Sequence, residues 1–384
     1  MSPGVPKTES QRPPRLAHIR ELDGVRGIAA LMVFFHHVCF ASIDSTTWPA
    51  PLMLLRSISV GGRYGVDLFF VLSGFLITSL LIGAREDPSY YHDFYWKRAL
   101  RILPLYIACL IGVLLFIPGS WSFVLLSVFF ISNFSSILHV AASGPFWTLA
   151  IEEQFYLLWP TVVRRRSPTE LRHWAMGVGV AAFVLRLIAA AFGHANYNFT
   201  FFHCDGLAFG AFLACWYSER AARPVKPRKE DRMIATGLAL AIASLAIPSL
   251  GTGQLAFAFH SAFQQTGVTL LCGSIVAFLI GHSGQRSLAF LRSRLLTFFG
   301  LISYAMYMIH AYVMDEYDTL RGPLASGHVS AYAVRFFAIL GITIALCLVS
   351  RYLIELPAMS MRRFILAKPS PPIPGDPPLP LGNM

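Results

Sequence analysis

The sequence predicts an all-α, polytopic membrane protein with about ten transmembrane helices plus one re-entrant or interfacial segment. Three observations carry that expectation. Of 384 residues, 55% are hydrophobic and only 13% charged, against about 25% charged in a soluble domain. Eleven apolar runs follow one another with short gaps, and in lipid such runs are stable as helices that satisfy their own backbone hydrogen bonds. The Lys and Arg residues gather in those gaps, as cytoplasmic loops require.

Residues 1–19 are polar, basic and Pro-containing, without the apolar core of a signal peptide, and read as a disordered cytoplasmic N-terminus. The runs lie at about 28–46, 65–83, 102–117, 122–138, 146–163, 174–192, 203–217, 233–249, 264–282, 296–314 and 332–354. Basic clusters follow the second (Arg85, Lys97, Arg98, Arg101), fifth (Arg164, Arg165, Arg166), seventh, ninth and last runs. All should lie on one side, so an even number of crossings must separate neighbouring clusters. Three runs lie between Arg101 and Arg164, so one of them does not cross. The run at 122–138 is short and broken by Ser132, Asn133, Ser135 and Ser136, and is the choice. Ten crossings remain, with both termini cytoplasmic and an acidic loop (Asp315, Glu316, Asp318) outside; eleven true spans is the alternative. The expected domain is 20–366. The tail 367–384 is Pro-rich and extended, hence disordered and cytoplasmic.

The net charge of +11 does not imply a nucleic-acid partner, because the basic residues are spread over loops. The partner they imply is a lipid bilayer. Six scattered Cys form no CxxC or metal-like spacing, and no metal is expected. No G-x-S-x-G, P-loop or zinc signature appears.

The chemistry-bearing candidates sit inside the apolar runs, where ionisable groups are costly. Arg26 and His37 stand eleven residues apart in LDGVRGIAALMVFFHHV. On a helix that is about three turns, so both side chains share a face about 16 Å apart along the axis. A neutral imidazole at that depth suits a general base for a hydroxyl; His36, its neighbour, fits packing. In YWKRALRILPLY, Arg98 and Arg101 project from one side with Lys97 adjacent. They are either a positive-inside anchor or a phosphate grip for a donor such as acyl-CoA. In FWTLAIEEQFYLLWP, Glu152 and Glu153 stand in an aromatic run, as an interhelical ion pair or as groups that orient or move a proton. Gly206 and Gly210 in HCDGLAFGA read as a small-residue packing face. His310, Glu355 and Pro357 read as helix-terminus features.

Seven blocks in order, LDGVRGIAALMVFFHH, GVDLFFVLSGFLIT, YWKRALRILPLY, FWTLAIEEQFYLLWP, HCDGLAFGAFLA, SYAMYMIH and YLIELP, span Leu22 to Pro357. Together they resemble the membrane acyltransferase-3 family, which O-acylates cell-surface glycans and some secondary metabolites. The resemblance implies a bacterial inner-membrane acyltransferase that uses acyl-CoA, with acetyl-CoA the expected donor. The acceptor it implies is a carbohydrate or small-molecule hydroxyl. It sets Arg26 and His37 on the family's arginine–histidine pattern, Arg98 and Arg101 on its paired arginines, and Glu152 and Glu153 on its acidic motif. Many family members carry Arg where His203 stands, which leaves Asp205 without that partner. The rival reading is a transporter of acyl groups or acylated glycan, with the buried His and Glu residues as a proton relay.

Overall fold

The computed structural model describes residues 18–40, 53–54, 58–141, 144–194, 198–222, 227–246, 253–322 and 329–365. The N-terminal segment up to residue 17 and the tail from residue 366 lie outside the described residues. Every regular element described is helical. The long helices are α1 (Arg20–Phe40), α2 (Gly65–Gly83), α3 (Tyr90–Phe116), α5 (Phe146–Arg165), α6 (Pro168–Ala191), α7 (Thr200–Ala222), α8 (Pro227–Ala246), α9 (Gln254–Gly281), α10 (Arg294–Arg321) and α11 (Val329–Ser350). Among the described residues seven helices are long and apolar enough to cross a membrane. The run at 122–138 forms no long helix. It gives the eight-residue α4 (Trp121–Val128) and a 3-10 turn over 132–134, where the Asn133 side chain takes its partners from Thr200 and Gln154.

Helices outrun their apolar runs. α1 begins eight residues before the run at 28–46, with Glu21 and Asp23 in its first turn, where the helix dipole favours negative charge. That places Arg26 inside the helix rather than in a flank. α10 likewise continues through Asp315, Glu316 and Asp318 to Gly322, which stops it at φ +71°. The expected acidic loop is therefore the last turns of a helix. Its Asp318 binds Arg335 of α11 through two contacts of 2.6 and 2.7 Å.

Two pairs of helices form the frame. α1 lies against α10, and Gly27 and Gly300 let them touch backbone to backbone. A Cβ at Gly27 would collide with the Leu296 carbonyl, and one at Gly300 with the Asp23 carbonyl. α2 lies against α7 in the same way, with Gly210 over the Val71 carbonyl, so the small-residue face read at Gly206 and Gly210 is present. Outward faces are apolar: Leu157, Leu158, Phe337 and Leu353 are all exposed. This suits a lipid solvent, in which exposing apolar groups carries no cost.

The starts of α1, α3, α6 and α10 share one end of the bundle with the ends of α2, α5, α7 and α9; it holds Arg85, Arg98, Arg164 and Arg292 and is the basic end. At this end α11 runs into a widened π turn, Arg351–Glu355, which buries Glu355 against Ser350 at 3.2 Å.

Candidate active site

A polar seam runs through the bundle between α1, α2, α3, α5 and α10. At the basic end three guanidiniums converge from two helices. Arg26 of α1 and Arg98 of α3 repel one another, and Arg101 feels both. The carboxylates that answer them are Asp23 and Glu152 for Arg26, Glu152 and Glu153 for Arg98, and Glu355 for Arg101. Arg98 also lies over the Tyr156 ring, 4.4 Å from its centroid. The Ser73 hydroxyl donates to Glu152 Oε1 at 2.8 Å and sits 2.9 Å from the Tyr156 hydroxyl. Since the Ser73 proton goes to the carboxylate, the Tyr156 hydroxyl donates to Ser73. Arg26, Arg98, Glu152 and Ser73 are half-buried and Arg101 is exposed. Lys97 stands apart, bound to Asp93 one turn earlier at 2.9 Å.

The two glutamates separate, as residues about 100° apart on a helix must. Glu152 faces the arginines and Ser73. Glu153 lies near Tyr106 and Tyr304 and also feels Arg98, and its Oε1 is buried with no hydrogen-bond partner among the described residues. Gln154, next in line, donates to the Phe130 carbonyl at 2.7 Å and to Asn133 Oδ1 at 3.1 Å, and so ties the non-crossing segment to α5.

Along the seam lies His37. Its Nδ1 is 3.0 Å from the Val33 carbonyl and 3.1 Å from Nε2 of His310. His310, only 1% exposed, sets its own Nδ1 2.8 Å from the Met306 carbonyl. A carbonyl only accepts, so His310 Nδ1 carries a proton. For neutral rings, its Nε2 then accepts from His37 Nδ1, and the free lone pair of His37 falls on Nε2. This is the geometry of a base held in one tautomer by a second ring. His310, read from the sequence as a helix-end residue, is thus the group bonded to His37. No carboxylate bonds that ring among the described residues. Tyr307, whose ring centroid is 6.1 Å from that of His310, has its hydroxyl 2.8 Å from Thr148 of α5. His36 faces elsewhere, with Nδ1 2.9 Å from the Ser59 carbonyl.

A second buried network lies across the bundle. Arg186 of α6, 0% exposed, donates to Asp205 at 2.8 Å, to Thr266 at 2.8 Å and to the Phe202 carbonyl. Asp205 also accepts from Thr269 at 3.1 Å. Asp67 accepts from Gln265 at 2.5 Å, and His203 stands 3.8 Å from it. Asp205 therefore has an arginine partner, supplied by α6 instead of position 203. A lone Arg in VAAFVLRLIAAA is the sequence signal for it.

A family model described as an acyltransferase domain matches residues 19–352. The chain is 25% identical over 326 residues to a peptidoglycan O-acetyltransferase of Listeria monocytogenes, covering 76% of this chain and 49% of that protein. It is 34% identical over 166 residues to a provisionally named peptidoglycan O-acetyltransferase of Bacillus subtilis, covering 37% and 23%. It is 24% identical over 379 residues to a provisionally named O-acetyltransferase of Staphylococcus aureus, covering 89% and 58%. The chain thus spans about half the length or less of the first two and somewhat over half of the third. No solved structure matches it.

Proposed function

Because this chain belongs to the acyltransferase-3 family and is an enzyme that transfers acyl groups, we propose that it moves an acetyl group from cytoplasmic acetyl-CoA to a carbohydrate hydroxyl by direct transfer. The observation that carries this is the gathering of arginines at the basic end. Three guanidiniums from two helices meet there among Asp23, Glu152, Glu153 and Glu355, and an imidazole bonded to a second ring lies further along α1. Arginines set side by side suit an anionic ligand, and the phosphates of a CoA donor supply one. Arg98 and Arg101 grip them with Arg26 behind; Lys97, committed to Asp93, contributes little.

His37 lies about 16 Å beyond Arg26 along α1, within reach of an extended pantetheine arm threaded along the seam. The acceptor oxygen attacks the thioester carbonyl as His37 Nε2 takes its proton. The C–S bond then breaks, and the CoA thiolate takes the proton from the imidazolium. His310 is a positioning residue that keeps the lone pair on Nε2. Glu152 answers Arg26 and Arg98; Glu153, with its unpartnered oxygen, is held in reserve beside the tyrosines.

In this reading ten helices cross the plasma membrane of a bacterium, both termini and the basic end are cytoplasmic, and the acceptor arrives from the far side. The peptidoglycan acetyltransferases among the relatives make a glycan the first acceptor to try. The test is the purified full chain in nanodiscs with acetyl-CoA and a neutral oligosaccharide. Equimolar CoA release and a mass gain of one acetyl group on the sugar are expected. Acetyl groups crossing a sealed vesicle with no acylated sugar would mark a transporter and overturn the proposal.

A further inference from the structure

On the acyl-transfer reading above, we infer that the end of the bundle opposite the arginines carries a built subsite for one neutral sugar ring of the acceptor. It is a cavity of about 210 Å³ between the segment after α4, the first turn of α5 and residue 198. That volume lies between the ~30 Å³ share of one water and the ~300–1,000 Å³ of a drug-sized pocket. It suits one small ring and excludes a nucleotide.

The lining has the chemistry of sugar recognition. Trp147 offers an indole edge and face for the C–H surface of a ring, and Ser132, Asn133 and Ser135 line it with polar side chains. Among the described residues no charged side chain lines it, so a phosphate or carboxylate would be left without a counter-charge.

Ser132 supplies an independent sign. It is 1% exposed, and its Oγ has no hydrogen-bond partner among the described residues. Buried hydroxyls are ordinarily satisfied, and one that is not is explained by a missing water or ligand. The wall around it is held firmly. Asn133 donates to Thr200 at 3.0 Å and accepts from Gln154, and Thr200 donates to Gln154 in turn. Phe130 and His139 bracket the segment at φ +55° and +53°, a left-handed conformation uncommon for residues other than glycine. Such strain persists where surrounding contacts over-determine it, as at ligand clamps.

The cavity wall is tied to the helix that carries His310. Trp147 precedes Thr148, whose hydroxyl meets Tyr307 beside His310. Gly144, at the cavity wall, lies so close to the Tyr312 hydroxyl that a Cβ there would collide with it; Tyr312 is two residues past His310.

Ser132→Ala is the sharpest test, because it removes a hydroxyl that no described protein group uses and should leave the fold intact. Trp147→Phe is the second variant. The full chain in nanodiscs is probed with chitotetraose, both as acceptor and, without donor, by saturation-transfer NMR. Both variants should raise the KM for chitotetraose and weaken its binding by about tenfold, with the acetyl-CoA KM unchanged. Unchanged sugar KM and binding, equal shifts in both KM values, or no sugar binding by the wild-type protein would each overturn the subsite. Sugar binding that is lost in Ser132→Ala while the wild-type protein transfers no acetyl would overturn the acyl-transfer reading and leave the subsite standing.

Discussion

Arg186 and the cluster of Arg26, Arg98 and Arg101 are built in opposite ways. Arg186 is sealed: 0% exposed, it bonds Asp205, Thr266 and the Phe202 carbonyl. Arg26 and Arg98 are half-buried and Arg101 exposed, and they crowd one another among Asp23, Glu152, Glu153 and Glu355. A buried charge costs several kcal/mol unless paired. The sealed arginine meets most of that cost within the protein, with its Nε alone lacking a partner among the described residues, and holds α6 to α7 and α9. The open cluster shares its carboxylates among three arginines, and on the proposed function a charged ligand joins them.

The seam and the sealed network can be pulled apart by mutation. The largest effect on turnover belongs to His37→Ala, since loss of a general base costs about 10²–10⁴-fold. The amount of membrane-inserted protein should stay the same, and His36→Ala should be milder; assays of acetyl transfer beside quantitative immunoblots check both. Arg186→Ala should act on the fold instead. Stranding Asp205 costs about 3–5 kcal/mol, read as a lower unfolding temperature in detergent. Arg186→Met combined with Asp205→Leu should recover much of it. Stability equal to wild type in the single variant would break the comparison.

Between these lies His310. His310→Ala should lower kcat by an amount worth about 0.5–1.5 kcal/mol, the usual net worth of one hydrogen bond, because His37 Nδ1 keeps the Val33 carbonyl at 3.0 Å. His310→Gln, which can still accept from His37 Nδ1, should recover part of it. Equal kcat in wild type and His310→Ala would remove the positioning role. The smallest effect belongs to Lys97→Ala. Its pair with Asp93 is an i,i+4 contact worth about 0.3–0.5 kcal/mol, so the donor KM should barely move. A large rise would return Lys97 to the phosphate site.

Features that depend on local spacing are legible in the amino-acid sequence. The eleven-residue step from Arg26 to His37, the three-residue step from Arg98 to Arg101 and the interruption at 132–136 each map onto a helix or a break in one. Pairings across the chain are not legible in this way. His310 meets His37 over 273 positions, and Arg335 reaches the Val38 carbonyl over 297; no pattern within one helix foretells either. The apolar runs understate α1 and α10, because charged turns extend a helix past its apolar core. Glu152 and Glu153 look equivalent in sequence, because adjacency hides the roughly 100° that sends them to different neighbours.

That the open arginines hold a CoA donor is tested most directly by titrating CoA onto the full chain in nanodiscs, with wild type beside Arg98→Ala and Arg98→Lys. A charge-assisted hydrogen bond is worth about 1.5–3 kcal/mol, so Arg98→Ala should weaken binding by roughly ten- to 150-fold. Arg98→Lys should remain impaired, because an ammonium cannot form the two-pronged phosphate contact. CoA affinity unchanged in both variants would contradict the donor site and leave the cluster an anchor at the membrane surface.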